Sequence, residues 1–308
     1  MRTLMVGAGA IGGYFGCRLL ESGRDVTFLV RPKRKAQLKE RGLLIQSVNG
    51  DSTVHPDLLL AGEEAPPFDV IMLSPKAYQL DDVMNDISPY VGENTMIIPL
   101  LNGIAHMQLL QERFGTDRVL GGLCFIETTL NADGDVVQTS KAHRLTFGEW
   151  NGGTSERVER LYEYVKATNA SFELSENIQQ EAWHKYLFIT MLSGITTLMN
   201  AAVGPIRDSP YGVELTKQLA EECVSVMKAI GAPISDQLLE MAMSAFEQQG
   251  YKMKSSMLRD MEKGLPIEGE HLQGYLLRLA EQHGIETPML RIVYNNVKVY
   301  EQKREDTF

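Results

Sequence analysis

Residues Gly7-Ala-Gly-Ala-Ile-Gly12 stand directly behind the apolar run Leu4-Met5-Val6, and they limit the folds open to this chain more than any other stretch. A turn with glycines at its first and third positions lets phosphate oxygens approach backbone N–H groups at the positive end of a helix. Side chains there would block both the turn and the approach. The last glycine, Gly12, lets that helix pack close to the strand. The pattern is weak alone and gains weight from its flanks. Ile11 to Ser22 reads as a helix with Ile11, Phe15, Leu19 and Leu20 spaced for one buried face, Gly23 ends it, and Val26 to Val30 makes a second strand. Gly7, Gly9, Ala10, Ile11 and Gly12 are therefore candidate dinucleotide ligands.

The end of the second strand bears on which dinucleotide. A site for NAD offers an acid there to hold the ribose 2′-hydroxyl, whereas a site for NADP needs positive charge for the 2′-phosphate. This chain offers Arg31-Pro-Lys33-Arg34-Lys35, and the nearby acid, Asp25, lies at the wrong end of the strand. Arg31 is the candidate for the 2′-phosphate because its planar fork suits phosphate oxygens, with Lys33 or Arg34 as assistants. The competing reading of Lys33 to Arg41 is a solvated, mostly basic helix face, which suits Lys39 and Arg41.

Composition removes several classes of function. The net charge of −10 over 308 residues opposes broad nucleic-acid binding, so an anionic substrate needs a local basic pocket. Cys17, Cys124 and Cys223 are far apart and odd in number, which argues against a disulfide scaffold or a zinc site and for reduced thiols in the cytoplasm. The six histidines show no ligand spacing, so no metal is expected. Met1-Arg-Thr3 leads straight into the first strand, leaving no signal peptide to expect. Tyr186 to Ile206 is uncharged over a length that could span a bilayer, yet it holds Thr190, Ser193, Thr196, Thr197, Asn200 and Gly204-Pro205. A buried helix in a second domain fits it better than a membrane span.

Periodicity then divides the chain. Short apolar strands are expected at Val70–Leu73, Met96–Ile98, Val119–Leu120 with Cys124–Ile126, Val136–Thr139 and Leu145–Phe147, the later ones as hairpin-like additions to the sheet edge. Ser155 to Ala167 reads as a helix and Ser171–Leu174 as a last strand. From Asn177 the pattern is helical, with stops at Gly204-Pro205, Gly231-Ala-Pro233, Gly264-Leu-Pro266 and Gly284, and with Thr287-Pro288 opening the last helix. Glu301 to Phe308 reads as a frayed end. The expected class is α/β: a Rossmann-type doubly wound sheet over residues 1–175, then an all-helical domain over 176–308, with substrate meeting cofactor in a cleft between them.

These residues together resemble the ketopantoate reductase family, the NADPH-dependent 2-dehydropantoate 2-reductases, across nearly the whole chain. The pieces come in the family's order: the glycine turn and Arg31, Lys76-Ala-Tyr-Gln79, Asn102-Gly103, Trp183-His-Lys185, Ser255-Ser-Met-Leu258 with Asp260, Leu265-Pro-Ile-Glu268, and Gly284-Ile-Glu-Thr-Pro288. The resemblance implies NADPH as cofactor and a hydride delivered to the carbonyl carbon of a small 2-oxo acid. It makes Lys185 the catalytic lysine and general acid, and Glu268 the acid that binds the substrate hydroxyl and orients that lysine. A surface lysine and an ordinary helix-start glutamate are the competing readings. Asn102 corresponds to a cofactor contact that helps place substrate, although Asn-Gly is also a common turn. Lys76 lends charge to the cofactor side or is merely solvated. Ser256 corresponds to a substrate-carboxylate ligand, and Ser255 reads as a helix cap.

The departures concern the pocket. Lys185, Ile189 and Ser193 fall at i, i+4 and i+8, on one helix face. Where this chain has Ile189 and Ser193, well-studied members of the family have asparagines that bond the substrate, and Gln273 stands where the family often has Asn. Ser193 remains a candidate substrate contact. Reduction of ketopantoate to pantoate, a step of pantothenate and coenzyme A synthesis, is the expected activity. A more apolar 2-oxo acid is the second reading, and an NADPH-binding sensor without catalysis the third. The apolar helices of the second domain can bury against a second copy or against each other, which leaves a homodimer open, and neither nucleic acid nor membrane is expected as partner.

Overall fold

The computed structural model describes residues 1–306 and divides into two compact units, Met1–Leu101 with His106–Gln179, and Asn102–Ala105 with the chain from Gln180 onward. The first unit opens with β1 (Arg2–Val6), α1 (Ala10–Glu21), β2 (Asp25–Leu29) and α2 (Pro32–Arg41). Then come β3 (Leu43–Ser47), β4 (Ser52–Val54), β5 (Asp57–Leu59), β6 (Phe68–Leu73), α3 (Leu80–Ile87) and β7 (Val91–Pro99). A parallel sheet in the order β5-β2-β1-β6-β7 results, with Val119 adding one further bridge beside Ile97. Its strands are apolar on both faces, as a sheet covered on both sides requires. Met5, Val70, Met72, Met96 and Ile98 enter one core, while Leu4, Ile71, Leu73 and Ile97 enter the other with Leu80, Val83, Met107 and Leu110.

The second sheet departs from expectation. After α4 (Ala105–Phe114), the strands β8 (Gly121–Leu130) and β9 (Val136–Gly148) do not extend the edge of the parallel sheet. They form a separate five-stranded sheet, with β9 flanked by β8, β3 and the later β10 (Ser171–Leu174), and with β4 outside β3. The helix α5 (Glu156–Val165) lies between β9 and β10 in sequence. A single strand of 13 residues replaces the two short ones read from sequence: its two ends pair with β8 through Val136–Gln138 and His143–Gly148, and the polar stretch between them spans a register shift without breaking the strand.

Consequently α1 has a sheet on either side. An added Cβ at Gly16 would collide with the Phe28 ring on β2, and one at Gly13 would come 2.8 Å from Val136 on β9. Residues Gly12 to Leu19 are all buried, so the single apolar stripe expected of this helix becomes burial around its circumference. Even Arg18 is only 1 % exposed, with its guanidinium over the Tyr14 ring and bonded to Glu21 and the Gly50 carbonyl.

The second unit is helical: α6 (Ile178–Leu198), α7 (Val203–Asp208), α8 (Gly212–Ala229), α9 (Leu238–Glu247), α10 (Ser256–Glu262), α11 (Tyr275–Gln282) and α12 (Pro288–Glu305). Gly204-Pro205 does not stop a helix as expected. It lies in the first turn of α7, where proline lacks only an N–H that would be unpaired anyway. The break comes earlier, at Asn200, which takes the left-handed φ of 47°. In α6 the hydroxyls of Ser193, Thr196 and Thr197 each donate to the carbonyl four residues back, so a buried helix tolerates them. No helix among the described residues is long and apolar enough to cross a membrane. The expected frayed end is helical through Glu305, and Thr307 and Phe308 lie outside the described residues.

Candidate active site

The first unit carries a phosphate-sized opening at the carboxyl end of β1. Gly7 takes a φ of +91°, which closes the turn, and its N–H donates to the Leu29 carbonyl at 3.0 Å. The first α1 hydrogen bond of its kind runs from Gly13 N–H to Gly9 carbonyl, leaving the N–H groups of Ala10, Ile11 and Gly12 without an acceptor inside the helix. No side chain caps this end and no acid lies in its first turn. A Cβ built on Gly9 meets nothing within 4 Å, whereas one on Gly12 would collide with Ser74 Oγ and the Gly7 carbonyl. The two glycines thus differ: Gly12 is small for the packing of the protein, and Gly9 leaves space that only a ligand would fill. This is the geometry a dinucleotide diphosphate needs.

Ser74, which the sequence reading passed over, holds the turn from below. Its hydroxyl lies 2.8 Å from the Val6 carbonyl and 3.2 Å from that of Gly7. The available signal was a small polar residue immediately behind the strand Val70–Leu73. Arg31 is the N-cap residue of α2 and exposed, with no side-chain bond of its own at the cap. Lys33 is likewise exposed, while Lys35 pairs with Glu63 at 2.7 Å. Lys76 is half-buried and precedes a short 3-10 turn, Ala77–Gln79, where Gln79 Oε1 accepts the Lys76 N–H. A cationic rim and an open phosphate turn therefore belong to the same unit, and together they fit a phosphorylated dinucleotide.

The second unit holds the remaining candidates, of which Glu268, Asn102 and Ser193 have bonds to one unusual turn. Glu270–Gly274 is π-helical and runs directly into α11; such turns widen a helix and often accompany functional sites. Lys185 is half-buried on α6, beside the buried rings of Trp183 and Tyr186, whose centroids are 5.8 Å apart. The Tyr186 hydroxyl donates to the Leu272 carbonyl at 2.6 Å, and the Leu272 N–H donates to the Glu268 carbonyl at 3.0 Å. Leu272, a residue of the π-helical turn, is thus bound through its carbonyl by the neighbour of Lys185 and through its N–H by the Glu268 carbonyl.

Asn102 joins this unit rather than the sheet it follows. Gly103, at φ +89°, packs so closely on the His271 ring that an added Cβ would lie 2.9 Å from it. Burial holds the His271 imidazole below its ordinary value, opposed by the Glu268 carboxylate and a backbone bond to Asn102. His184, next to Lys185, is also held low by burial. Its Nε2 accepts the Ser235 N–H, which assigns the neutral ring with its proton on Nδ1.

The helix face below Lys185 changes character over two turns. Ile189 is half-buried and apolar. Ser193 is 4 % exposed, and its hydroxyl donates to the Ile189 carbonyl at 2.5 Å while accepting from Gln273 Nε2 at 2.7 Å. Gln273, 0 % exposed, also donates to the Thr190 carbonyl, and its Oε1 has no donor among the described residues. Ser255 caps α10 through a 3.1 Å bond from the Leu258 N–H and lies 2.7 Å from the Thr196 hydroxyl, whereas Ser256 is exposed. Ser193, which the sequence offers as a substrate contact, is therefore engaged within the protein, and Ser255 is the helix cap the sequence expects.

Comparison with known proteins identifies the family. Residues 3–152 match the model of the family described as ketopantoate reductase PanE/ApbA, and residues 177–301 match its C-terminal counterpart. An uncharacterized oxidoreductase of Bacillus subtilis (strain 168), YkpB, is 43 % identical over 99 % of this chain and 100 % of its own length. The crystal structure of 2-dehydropantoate 2-reductase from Methylococcus capsulatus superposes with a TM-score of 0.87 at 26 % identity, covering 99 % of this chain and 98 % of that one. A dimeric ketopantoate reductase from Staphylococcus aureus shares the fold at a TM-score of 0.82 and 23 % identity, over 99 % of this chain and 100 % of its own.

Proposed function

Since the chain belongs to the ketopantoate reductase family and is an oxidoreductase of that kind, we propose that it reduces ketopantoate to pantoate, a step of pantothenate and coenzyme A synthesis, with Lys185 as general acid. NADPH is the family's cofactor. When bound, it supplies a hydride to the substrate carbonyl carbon. Gly7 and Gly9 would admit its diphosphate to the N–H groups of Ala10, Ile11 and Gly12, and Arg31, with Lys33 as assistant, would hold its 2′-phosphate, while Lys76 lends charge to the cofactor side. Lys185 Nζ donates a hydrogen bond to the carbonyl oxygen, stabilises the charge that develops there and delivers the proton. Glu268 accepts the substrate hydroxyl and keeps the lysine in place, Asn102 positions both reactants, and Ser256 meets the carboxylate. The observation that carries this reading is Leu272, whose carbonyl accepts from Tyr186 next to Lys185 and whose N–H donates to the Glu268 carbonyl, so that the helix of Lys185 and Glu268 are linked through one residue.

Arg31 gives the cofactor assignment its own test. Arg31→Ala is expected to raise the KM for NADPH roughly ten- to hundredfold, the weight of a lost charge-assisted bond, while NADH changes little. Steady-state kinetics with both cofactors check this, and equal losses would remove Arg31 from 2′-phosphate recognition.

A second reading keeps the reaction and changes the substrate. Ile189 offers no hydrogen bond one turn below Lys185, and the Ser193 hydroxyl already has two partners. This favours a 2-oxo acid more apolar than ketopantoate, whose hydroxyl would lose a partner at a cost of about 1–3 kcal/mol. The deciding measurement is NADPH oxidation by the purified protein with ketopantoate, run beside bulkier and more apolar 2-oxo acids. Saturable turnover is expected with ketopantoate. A clear preference for another acid would establish the second reading, and tight NADPH binding with no carbonyl compound turned over would overturn both in favour of a sensor. The reading also places the protein in the cytoplasm, in keeping with three buried, unbridged cysteines, and as a homodimer, which light scattering in solution checks.

A further inference from the structure

The basic segment behind β2 contains one arginine that does not behave as a solvated surface cation. Arg34 lies one turn into α2, and its Nε–H donates to the Ala8 carbonyl at 3.1 Å. Ala8 is the residue between the first two glycines of the phosphate turn. The same guanidinium donates from Nη1 to Gln37 Oε1 at 2.6 Å. Gln37 in turn donates to the Asp133 carbonyl, which also accepts from Arg41 at 2.9 Å, and Arg41 pairs with Asp135 at 3.3 Å. Arg34, Gln37 and Arg41 lie on one face of α2, and they connect the phosphate turn to the tip of the β8–β9 hairpin.

That tip is itself rigid. Asn131 Oδ1 accepts the N–H groups of Asp133 and Asp135, and Gly134, at φ +77°, is pressed against the cluster so that a Cβ would lie 2.8 Å from Arg34 Nη1. Enclosed in this way, Arg34 Nη2 is buried without an acceptor among the described residues. Burial lowers the pKa of the group, against the opposing charge of Asp135. Among the described residues it forms no ion pair with a carboxylate, in contrast to Lys35 and Arg41. A half-buried cation with an unused donor is unfavourable unless an anion approaches, and the neighbouring turn is the place where a diphosphate would.

The bond to Ala8 has a directional consequence. A peptide carbonyl facing the phosphates would repel them, and a cation holding that oxygen keeps the N–H side of the turn available instead. The same contact ties α2, and so its N-cap residue Arg31, to the turn. Resting on the reading of NADPH as cofactor, we infer that Arg34 is a positioning residue for the dinucleotide: it orients the phosphate turn through Ala8 and sets the placement of Arg31, without being the group that reads the 2′-phosphate.

The test is a comparison of Arg34→Met, Arg34→Lys and Gln37→Ala with the wild type, by NADPH and NADH titration, steady-state kinetics and thermal unfolding. Arg34→Met is expected to raise the KM of both cofactors roughly ten- to hundredfold, with kcat at saturation within about a factor of two. Arg34→Lys should recover part of the loss, since an ammonium can reach one carbonyl but cannot also fork to Gln37. Gln37→Ala, which leaves the Ala8 bond in place, guards against a folding defect and should raise the KM values several-fold. Unchanged KM values in a folded Arg34→Met protein would overturn the inference. So would a loss confined to NADPH, which would make Arg34 a direct phosphate ligand, or a loss confined to kcat. A wild-type protein that binds neither cofactor would instead overturn the cofactor reading itself.

Discussion

A Lys185→Ala protein is expected to bind NADPH as the wild type does and to turn over its 2-oxo acid roughly 10²–10⁴-fold more slowly, the range for loss of a positioned acid. The fold gives little reason for collateral damage. Lys185 is half-buried on a helix of 21 residues, alanine is the best helix former, and the neighbouring Trp183 and Tyr186 keep their buried positions. The Tyr186 bond to Leu272 does not involve the lysine side chain. Lys185→Arg sharpens the result, because a guanidinium keeps the charge yet cannot release a proton at neutral pH; it should stay near the alanine level. Stopped-flow NADPH oxidation with cofactor saturating separates the chemical step from binding. Turnover unimpaired in the alanine variant would exclude Lys185 from the mechanism.

The second large effect divides two glycines only three residues apart. Gly12→Ala places a methyl group against Ser74 Oγ and the Gly7 carbonyl, so α1 must shift or Ser74 must release the turn. An overpacked site of this kind costs about 1–3 kcal/mol, and both thermal stability and NADPH affinity should fall. Gly9→Ala meets nothing within 4 Å and sits at φ −81°, where alanine is unstrained. Its methyl group occupies only the space a phosphate would use. NADPH affinity should therefore drop in that variant while the unfolding temperature stays within a degree or so of wild type. Calorimetric unfolding and cofactor titration on the pair test this directly, and a Gly9→Ala protein with undiminished NADPH affinity would refute the phosphate assignment.

The extent to which these features are legible in sequence depends on how local their causes are. The first strand–helix–strand unit is readable because its turn demands glycine at fixed positions and its strands are continuously apolar. Ser52–Val54 and Asp57–Leu59 escape notice because no alternation can build up over three residues, and Leu43–Ser47 because its alternation covers only the first three of its five residues. The separate second sheet is invisible for a different reason: β9 bonds to β3 across some ninety residues of chain, and nothing near either strand records that pairing. In the site, Lys185 and Glu268 stand out by resemblance to a family. Ser74 and Arg34 become visible only when packing brings them to Gly7 and Ala8. The partners of Ser193 are equally hidden, because Gln273 reaches it from eighty positions away on a π-helical turn.

The contrast between the two helices that flank β2 has a consequence for how this protein can change. Enclosed between two sheets, α1 presents no residue from Gly12 to Leu19 that could be altered without disturbing a core, whereas α2 buries only Leu38. On the proposed assignment of the 2′-phosphate to Arg31, the ability to hold a dinucleotide is locked into the interior, and the choice between two dinucleotides sits at the start of a nearly free surface helix. Exchange of the α2 exterior, with Leu38, Arg34 and Gln37 retained, is accordingly the route by which cofactor preference can drift or be redesigned while the scaffold stays as it is.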